Sequence, residues 1–111
     1  MSTARKEKVA AMTLRIAAKY LVENVGVPGA VVSVTRVIVS EGLDNVKIYF
    51  SVFPEAARGM VMRQITETKK DLKAAIARQM PMKFVPNISL LPDTDIEAIQ
   101  RVEAVLENLE K

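Results

Sequence analysis

Apolar and polar residues alternate most regularly between residues 32 and 54. The second half of this stretch, residues 46–53, places every other side chain on one apolar face: Val46, Ile48, Phe50 and Val52. A period of two is typical of a strand with one face in a protein core. Residues 32–40 are also strand-like, although consecutive apolar residues at 37–39 predict a mostly buried strand or a local bulge. The connection at 41–45 is short and contains Gly, Asp and Asn, so the pattern predicts an antiparallel hairpin.

Helical periodicity prevails on either side of this hairpin. Residues 4–24 and 55–80 both repeat apolar residues at intervals of three and four. The letters at 26–29, GVPG, end the first helix, and we expect a glycine there in the left-handed position that follows a helix. The second region is long for a small domain, and its apolar arc is weakest at 66–70. We therefore expect a bend or break there that divides it into a helix pair.

The remaining residues predict a third strand and a last helix. Pro81 stops the second helical region, and residues 82–90 read as a strand that the internal Pro86 restricts to a sheet edge or a bulge. Asp93, Thr94 or Asp95 then caps an amphipathic helix at about residues 95–110. Its apolar stripe is expected to dock on the domain's own sheet, and a dimer or partner-binding helix is the alternative. The stripe consists of Ile96, Ile99, Val102, Val105, Leu106 and Leu109.

These elements predict one α+β domain over residues 1–111, with its core at about residues 5–92. The order is α-β-β-α-α-β with an added C-terminal helix, and helices cover one face of a three-stranded sheet. This is the connectivity of a type II KH-like fold.

Composition excludes several classes of function. The chain has no cysteine and no histidine, which removes disulfides, thiol nucleophiles, and the commonest general base and metal ligand. Ser33, Ser40 and Ser51 lie in strand patterns without a recognisable base, so no catalytic site is predicted. No metal site and no cofactor are expected. No apolar run is long enough to span a membrane, and the N-terminus lacks a signal-peptide pattern, so we expect a cytoplasmic protein.

Charge is distributed unevenly along the chain. Residues 1–83 contain 14 Lys and Arg against 7 Asp and Glu, whereas residues 84–111 contain 2 against 6. A basic body favours a polyanionic partner. On helical wheels the cations that could contact such a partner form one arc on each helical region. The cations of the first arc are expected to have no acidic partner four residues further along the helix. The predicted RNA-binding residues are Arg5, Lys8, Arg15 and Lys19, with Arg63, Lys69, Lys70 and Lys73.

Two segments carry a resemblance to a known family. Residues 32–53 read VSVTRVIVSEGLDNVKIYFSVF, and residues 82–95 read MKFVPNISLLPDTD. In order and spacing they resemble the ribosome-binding factor A family, and the resemblance covers roughly residues 5–95. It departs from the family at 68–70, where Thr-Lys-Lys stands in place of a small-residue kink, Ala-x-Gly.

The resemblance implies a non-catalytic factor of ribosome biogenesis and cold adaptation. Its implied partners are immature 16S rRNA and free or precursor 30S subunits, bound without a cofactor. It further implies a cytoplasmic monomer, with an assembly GTPase as a further candidate partner. A protein-interaction or dimerisation module that uses the C-terminal helix is the alternative function.

Overall fold

The structure, a computed structural model, describes residues 2–80, 86–93 and 104. It contains helix α1 (Ser2–Asn24), strands β1 (Val31–Val39) and β2 (Asn45–Phe53), a short 3-10 helix (Glu55–Ala57), helix α2 (Arg58–Gln79) and strand β3 (Asn87–Pro92). Within the described residues the order is therefore α-β-β-α-β, an α+β fold. Apart from Ala104, the predicted C-terminal helix and the docking of its apolar stripe lie outside the described residues.

The three strands form one mixed sheet in the order β1-β2-β3. Strands β1 and β2 are antiparallel, which confirms the predicted hairpin, whereas β3 runs parallel to β2. The register shifts between Val34, which lies opposite Phe50, and Arg36, which lies opposite Tyr49. Thr35 is therefore the extra residue of a β-bulge. The bulge turns Arg36 to the opposite face from Val34, although residues two apart in a regular strand share a face.

Both helices cover the same face of the sheet, and the core lies between the two layers. On β2 the alternate side chains of Val46, Ile48 and Phe50 are completely or almost completely buried, as their spacing predicted. Each fully buried apolar side chain of this size stabilises the fold by about 1.5–3 kcal/mol. The helices contribute the opposing layer, whose buried apolar residues are Val9, Ala17, Leu21, Val61, Ile65, Leu72, Ala75 and Ile76.

The hairpin turn is organised by Ser40. Its hydroxyl donates to Asp44 Oδ1 at 2.7 Å and accepts from Asn45 N at 3.0 Å. The hydroxyl's hydrogen bond lowers the pKa of the exposed Asp44 carboxyl. Leu43, rather than the neighbouring glycine, adopts a left-handed φ of 60°. The Leu43 side chain packs against the core, and this contact offsets the strain of a left-handed residue that bears a side chain.

The loop after α1 is held by a side chain from α2. Gly26 N donates to Gln64 Oε1 at 2.9 Å, and Gln64 Nε2 donates to Gly26 O at 3.2 Å. The expected left-handed glycine directly after the helix is absent, because Gly26 does not have a positive φ; the left-handed glycine is Gly29, with a φ of 80°, five residues after the end of α1. Gly29 lies in a turn that Ala30 N closes by donating to Val27 O at 3.0 Å.

Helix α2 is continuous across residues 66–70, so a break there is wrong and the expected helix pair is one helix. The apolar arc is weak there because it contains Thr68. This threonine is half-buried, and its hydroxyl donates to Ile65 O at 3.3 Å. Thr66 Oγ1 likewise donates to Met62 O at 2.9 Å. Both hydroxyls bond to the preceding turn, so neither leaves a polar group that would interrupt the helix.

Strand β3 lies at a sheet edge, the position predicted for a strand near proline. It extends to Pro92, two residues beyond the predicted end, and Pro86 lies outside it. The first residue of the strand is Asn87, whose N donates to Asp44 O at 2.9 Å. Proline has no N–H to give to a ladder, which explains why pairing starts immediately after Pro86. Residues 81–85 of the predicted strand lie outside the described residues.

Candidate nucleic-acid interface

The predicted RNA-binding residues form two surfaces. We call Arg5, Lys8, Arg15 and Lys19 the α1 cationic surface, and Arg63, Lys69, Lys70 and Lys73 the α2 cationic surface. All four α1 side chains are exposed. On α2, Arg63 and Lys70 are exposed, whereas Lys69 and Lys73 are half-buried. A lysine in that position packs its aliphatic stem on the protein and leaves its ammonium in water.

Most of these cations lack a carboxylate partner in the part of the chain that the structure describes. The exception is Lys19, whose Nζ lies 3.9 Å from Glu23 Oε1. The expectation that the α1 arc has no acidic partner four residues along is therefore wrong for Lys19. An exposed pair of this spacing is worth only about 0.3–0.5 kcal/mol. By contrast, two cations outside both surfaces are closely paired: Lys6 with Glu41 at 2.7 Å and Arg58 with Glu55 at 3.0 Å.

Helix packing keeps the two surfaces apart. Burial and the Asp71 carboxylate raise the pKa of Tyr20 on α1, and the Arg78 guanidinium opposes them. Asp71 lies four residues before Ala75 and seven before Arg78, which line a groove against α1, so it is on the flank of α2 that faces α1. Lys69 and Lys73 are each two residues from Asp71, which is about 200° around a helix. They lie on the flank of α2 that faces away from α1.

The structure also adds a cation that the sequence did not predict. A groove of about 250 Å³ lies between the helices, lined by Lys19 and Tyr20 of α1 and by Ala75, Arg78 and Gln79 of α2. Arg78 thus joins Lys19 at the edge of the α1 cationic surface. No pattern in the sequence singled out Arg78, because the flank of α2 that lines this groove is set by helix packing.

On the sheet face opposite the helices, which we call the open face, three residues form a contact across the strands. The guanidinium carbon of Arg36 lies 4.4 Å from the ring centroid of Tyr49, in cation–π geometry. Arg36 Nε is 3.3 Å from Asp93 Oδ2, and Arg36 Nη2 donates to Asp93 Oδ1 at 3.4 Å. The Thr35 hydroxyl also donates to the Asp93 carboxylate, whose side chain is 0 % exposed.

Sequence reasoning offered Asp93 only as one of three candidate helix caps. Its contact with Thr35 joins residues 58 positions apart in the chain. The only indication in the sequence was that Thr35 and Asp93 lie in the two segments that carry the family resemblance.

No group of three or more acidic, histidine or cysteine residues that could hold a metal ion occurs within residues 2–80 and 86–93. Neither helix in this part of the chain is long and apolar enough to cross a membrane.

Comparison with known proteins identifies relatives along nearly the whole chain. The family model described as Ribosome-binding factor A matches residues 5–106. The ribosome-binding factor A of Coprothermobacter proteolyticus is 28 % identical over 100 % of this chain and 82 % of its own length. That of Parasynechococcus marenigrum is 31 % identical over 96 % of this chain and 82 % of its own length.

A solved structure shares the fold. The crystal structure of ribosome-binding factor A from Thermus thermophilus matches with a TM-score of 0.65 at 24 % identity. The match covers 78 % of this chain and 93 % of that one. The family model matches almost the entire sequence, and the solved structure shares the fold. This chain therefore belongs to the ribosome-binding factor A family of non-catalytic 30S subunit maturation factors.

Proposed function

We propose that this chain binds immature 30S subunits through phosphates of 16S rRNA, and that the α2 cationic surface makes the main contact. The α1 cationic surface, extended by Arg78, adds a second set of phosphate contacts beyond the groove. Binding of this kind recognises the shape and backbone of A-form RNA rather than base edges. No chemical step is involved.

The observation that carries the proposal is the clustering of unneutralised charge on α2. Lys69 and Lys73 are four residues apart on one flank, where two like charges destabilise a helix by about 0.2–0.5 kcal/mol. Among the described residues no carboxylate lies within ion-pair distance of either one. A phosphate backbone would relieve the repulsion, and the counterions it releases would supply binding free energy.

The half-burial of Lys69 and Lys73 also supports a binding role. A stem packed on the protein has already lost part of its rotamer freedom, so less entropy is lost when the ammonium meets a phosphate. The fully exposed Lys70 and Arg63 lie on the outer side of the same helix and would extend the contact around it.

The experiment compares two double variants in filter binding to precursor and mature 30S subunits. Lys69→Glu with Lys73→Glu reverses charge on the α2 cationic surface. Lys6→Glu with Arg58→Glu makes the same charge change at cations that carboxylates already neutralise. We expect the first variant to weaken precursor binding roughly ten-fold or more, and the second to have a much smaller effect. Equal losses in both variants would contradict the assignment of these lysines.

The family resemblance supports the rest of the proposal. We expect tighter binding to precursor than to mature subunits, action as a monomer in the cytoplasm, and an assembly GTPase as a candidate second partner. Sedimentation of the full chain tests the monomeric state, and the filter-binding comparison tests the preference for precursors.

A further inference from the structure

We propose that the open face of the sheet binds unpaired RNA bases, with the Arg36 guanidinium and the Phe53 ring as stacking surfaces. This proposal rests on the proposed RNA-binding function. It adds a second site to that function, on the opposite side of the sheet from both helices. The ligand of this second site is single-stranded rather than duplex RNA.

Arg36 is held as a flat, preorganised surface. One face of its guanidinium lies over the Tyr49 ring at 4.4 Å, and its edge faces the buried carboxylate of Asp93. The Nε atom is buried, but the side chain as a whole is 41 % exposed, so the outer part of the plane remains accessible from the solvent side. An arginine plane held in this way presents a stacking surface to a base, and little further side-chain entropy is lost on binding.

Phe53 provides a second flat surface on the same face. It lies four residues after Tyr49 on β2, which places the two side chains on one face about 13 Å apart. Phe53 is 46 % exposed. Exposure of this ring to water does not stabilise the fold, whereas stacking of a base on the ring is favourable for every type of base.

The residues around these two surfaces suit nucleotides better than an apolar partner. Lys47 is exposed on the same face and lies opposite Ser89, and Ser33 lies opposite Ser51, so hydroxyls are present on all three strands. A cation and hydroxyls beside stacking surfaces match the phosphates, sugars and base edges of a single strand. Duplex RNA keeps its base faces stacked internally, so it cannot use Arg36 or Phe53 in this way.

The test measures two RNA ligands against three variants of the full chain. The ligands are a fluorescein-labelled oligoadenylate and a labelled RNA hairpin whose four loop bases are stacked in a GNRA tetraloop, and binding is followed by fluorescence anisotropy. Arg36→Lys keeps the charge but removes the plane, and Phe53→Leu keeps the apolar surface but removes the ring. Val22→Ala is the matched control, because Val22 is an exposed apolar residue of helix α1, away from the open face.

We expect Arg36→Lys and Phe53→Leu each to weaken oligoadenylate binding roughly ten-fold, with hairpin binding unchanged. Val22→Ala should leave the binding of both ligands unaffected. Loss of hairpin binding to the same extent would overturn the proposal, as would an equal effect of Val22→Ala, which would show that the losses are not specific to the open face. Absence of any oligoadenylate binding by the unmodified chain would also overturn it.

A second measurement removes any dependence on variant folding. In the unmodified chain, NMR should record upfield ring-current shifts of the Arg36 Nε–H and the Phe53 ring protons when oligoadenylate is added. Unchanged resonances at saturating RNA would contradict the proposal. These measurements use single-stranded RNA and residues of the open face, whereas the proposed function is tested with 30S subunits and the α2 lysines. Oligoadenylate binding can therefore fail while the lysine variants still abolish subunit binding, and the lysine variants can have no effect while oligoadenylate still binds.

Discussion

Removal of the Asp93 charge is the sharpest test of the contact that crosses the open face. In Asp93→Asn the side-chain shape and one acceptor oxygen remain, but the charge is lost. The carboxylate is 0 % exposed and accepts a hydrogen bond from the Thr35 hydroxyl. A hydrogen bond to a charged group is worth about 1.5–3 kcal/mol. Because the Arg36 side chain is 41 % exposed, water compensates much of the lost ion pair, and that contribution stays below about 1 kcal/mol.

Together these terms predict a loss of about 2 kcal/mol in the free energy of unfolding. For a domain of this size the melting temperature should fall by about 8 °C. Urea denaturation followed by far-UV circular dichroism measures the change directly. Thr35→Val, combined with Asp93→Asn in a double-mutant cycle, should show a coupling energy of about 1 kcal/mol, because the two side chains share one hydrogen bond.

Asp71→Asn provides the control, since Asp71 is an exposed carboxylate on α2. It should change stability by no more than about 0.5 kcal/mol. The reasoning is refuted if Asp93→Asn has an equally small effect, or if the cycle with Thr35 is additive.

Three further predictions concern the backbone and the hairpin turn. Gly29→Ala should destabilise the fold by about 1–2 kcal/mol in urea denaturation because its φ is left-handed, whereas Gly26→Ala, with open space around its Cβ, should not. Lys70→Gly, which introduces the family's kink glycine, should cost about 1 kcal/mol because α2 is a continuous helix there. Ser40→Ala should raise the pKa of Asp44 towards its ordinary value in an NMR titration, because the hydroxyl that lowers it is removed.

Each of these predictions has a contrary outcome. Equal costs at both glycines would show that φ is not the cause of the effect. A stabilising Lys70→Gly would indicate a real break in α2. With a depressed folded pKa, the contribution of the Ser40 contact is present above the unfolded pKa of Asp44 and is lost as pH falls through the folded value. An Asp44 pKa that does not move in Ser40→Ala would contradict the assigned cause.

The hairpin and its buried face were predictable because their signals are local. Alternation along β2 alone identified Val46, Ile48 and Phe50 as core residues, and the short connection fixed the antiparallel pairing. The consecutive apolar residues at 37–39 of β1 predicted a mostly buried strand or a bulge, but the register shift falls at Thr35, and residues 37–39 alternate regularly between the two faces of the sheet. In each case a side-chain period of two, with one buried face, leaves few alternatives.

The errors arose where tertiary contacts decide the outcome. A weak apolar arc predicted a break in α2, but Thr68 bonds back to its own helix, and the backbone ladder continues. The wheel of each helix grouped its cations on one arc, yet it could not show which flank of α2 lies against α1, and therefore that Lys69 and Lys73 face away from it. The contact of Asp93 with Thr35 was not predictable, because no local pattern links residues 58 positions apart.

The salt dependence of subunit binding tests the central claim most directly. With five or six phosphates neutralised, log K against log[salt] should fall with a slope of about −3 to −5 for the unmodified chain. Lys69→Gln with Lys73→Gln should make that slope shallower by about 2, whereas Lys6→Gln with Arg58→Gln should leave it unchanged. A flat salt dependence of the unmodified chain would contradict the account, as would equal changes of slope in the two variants.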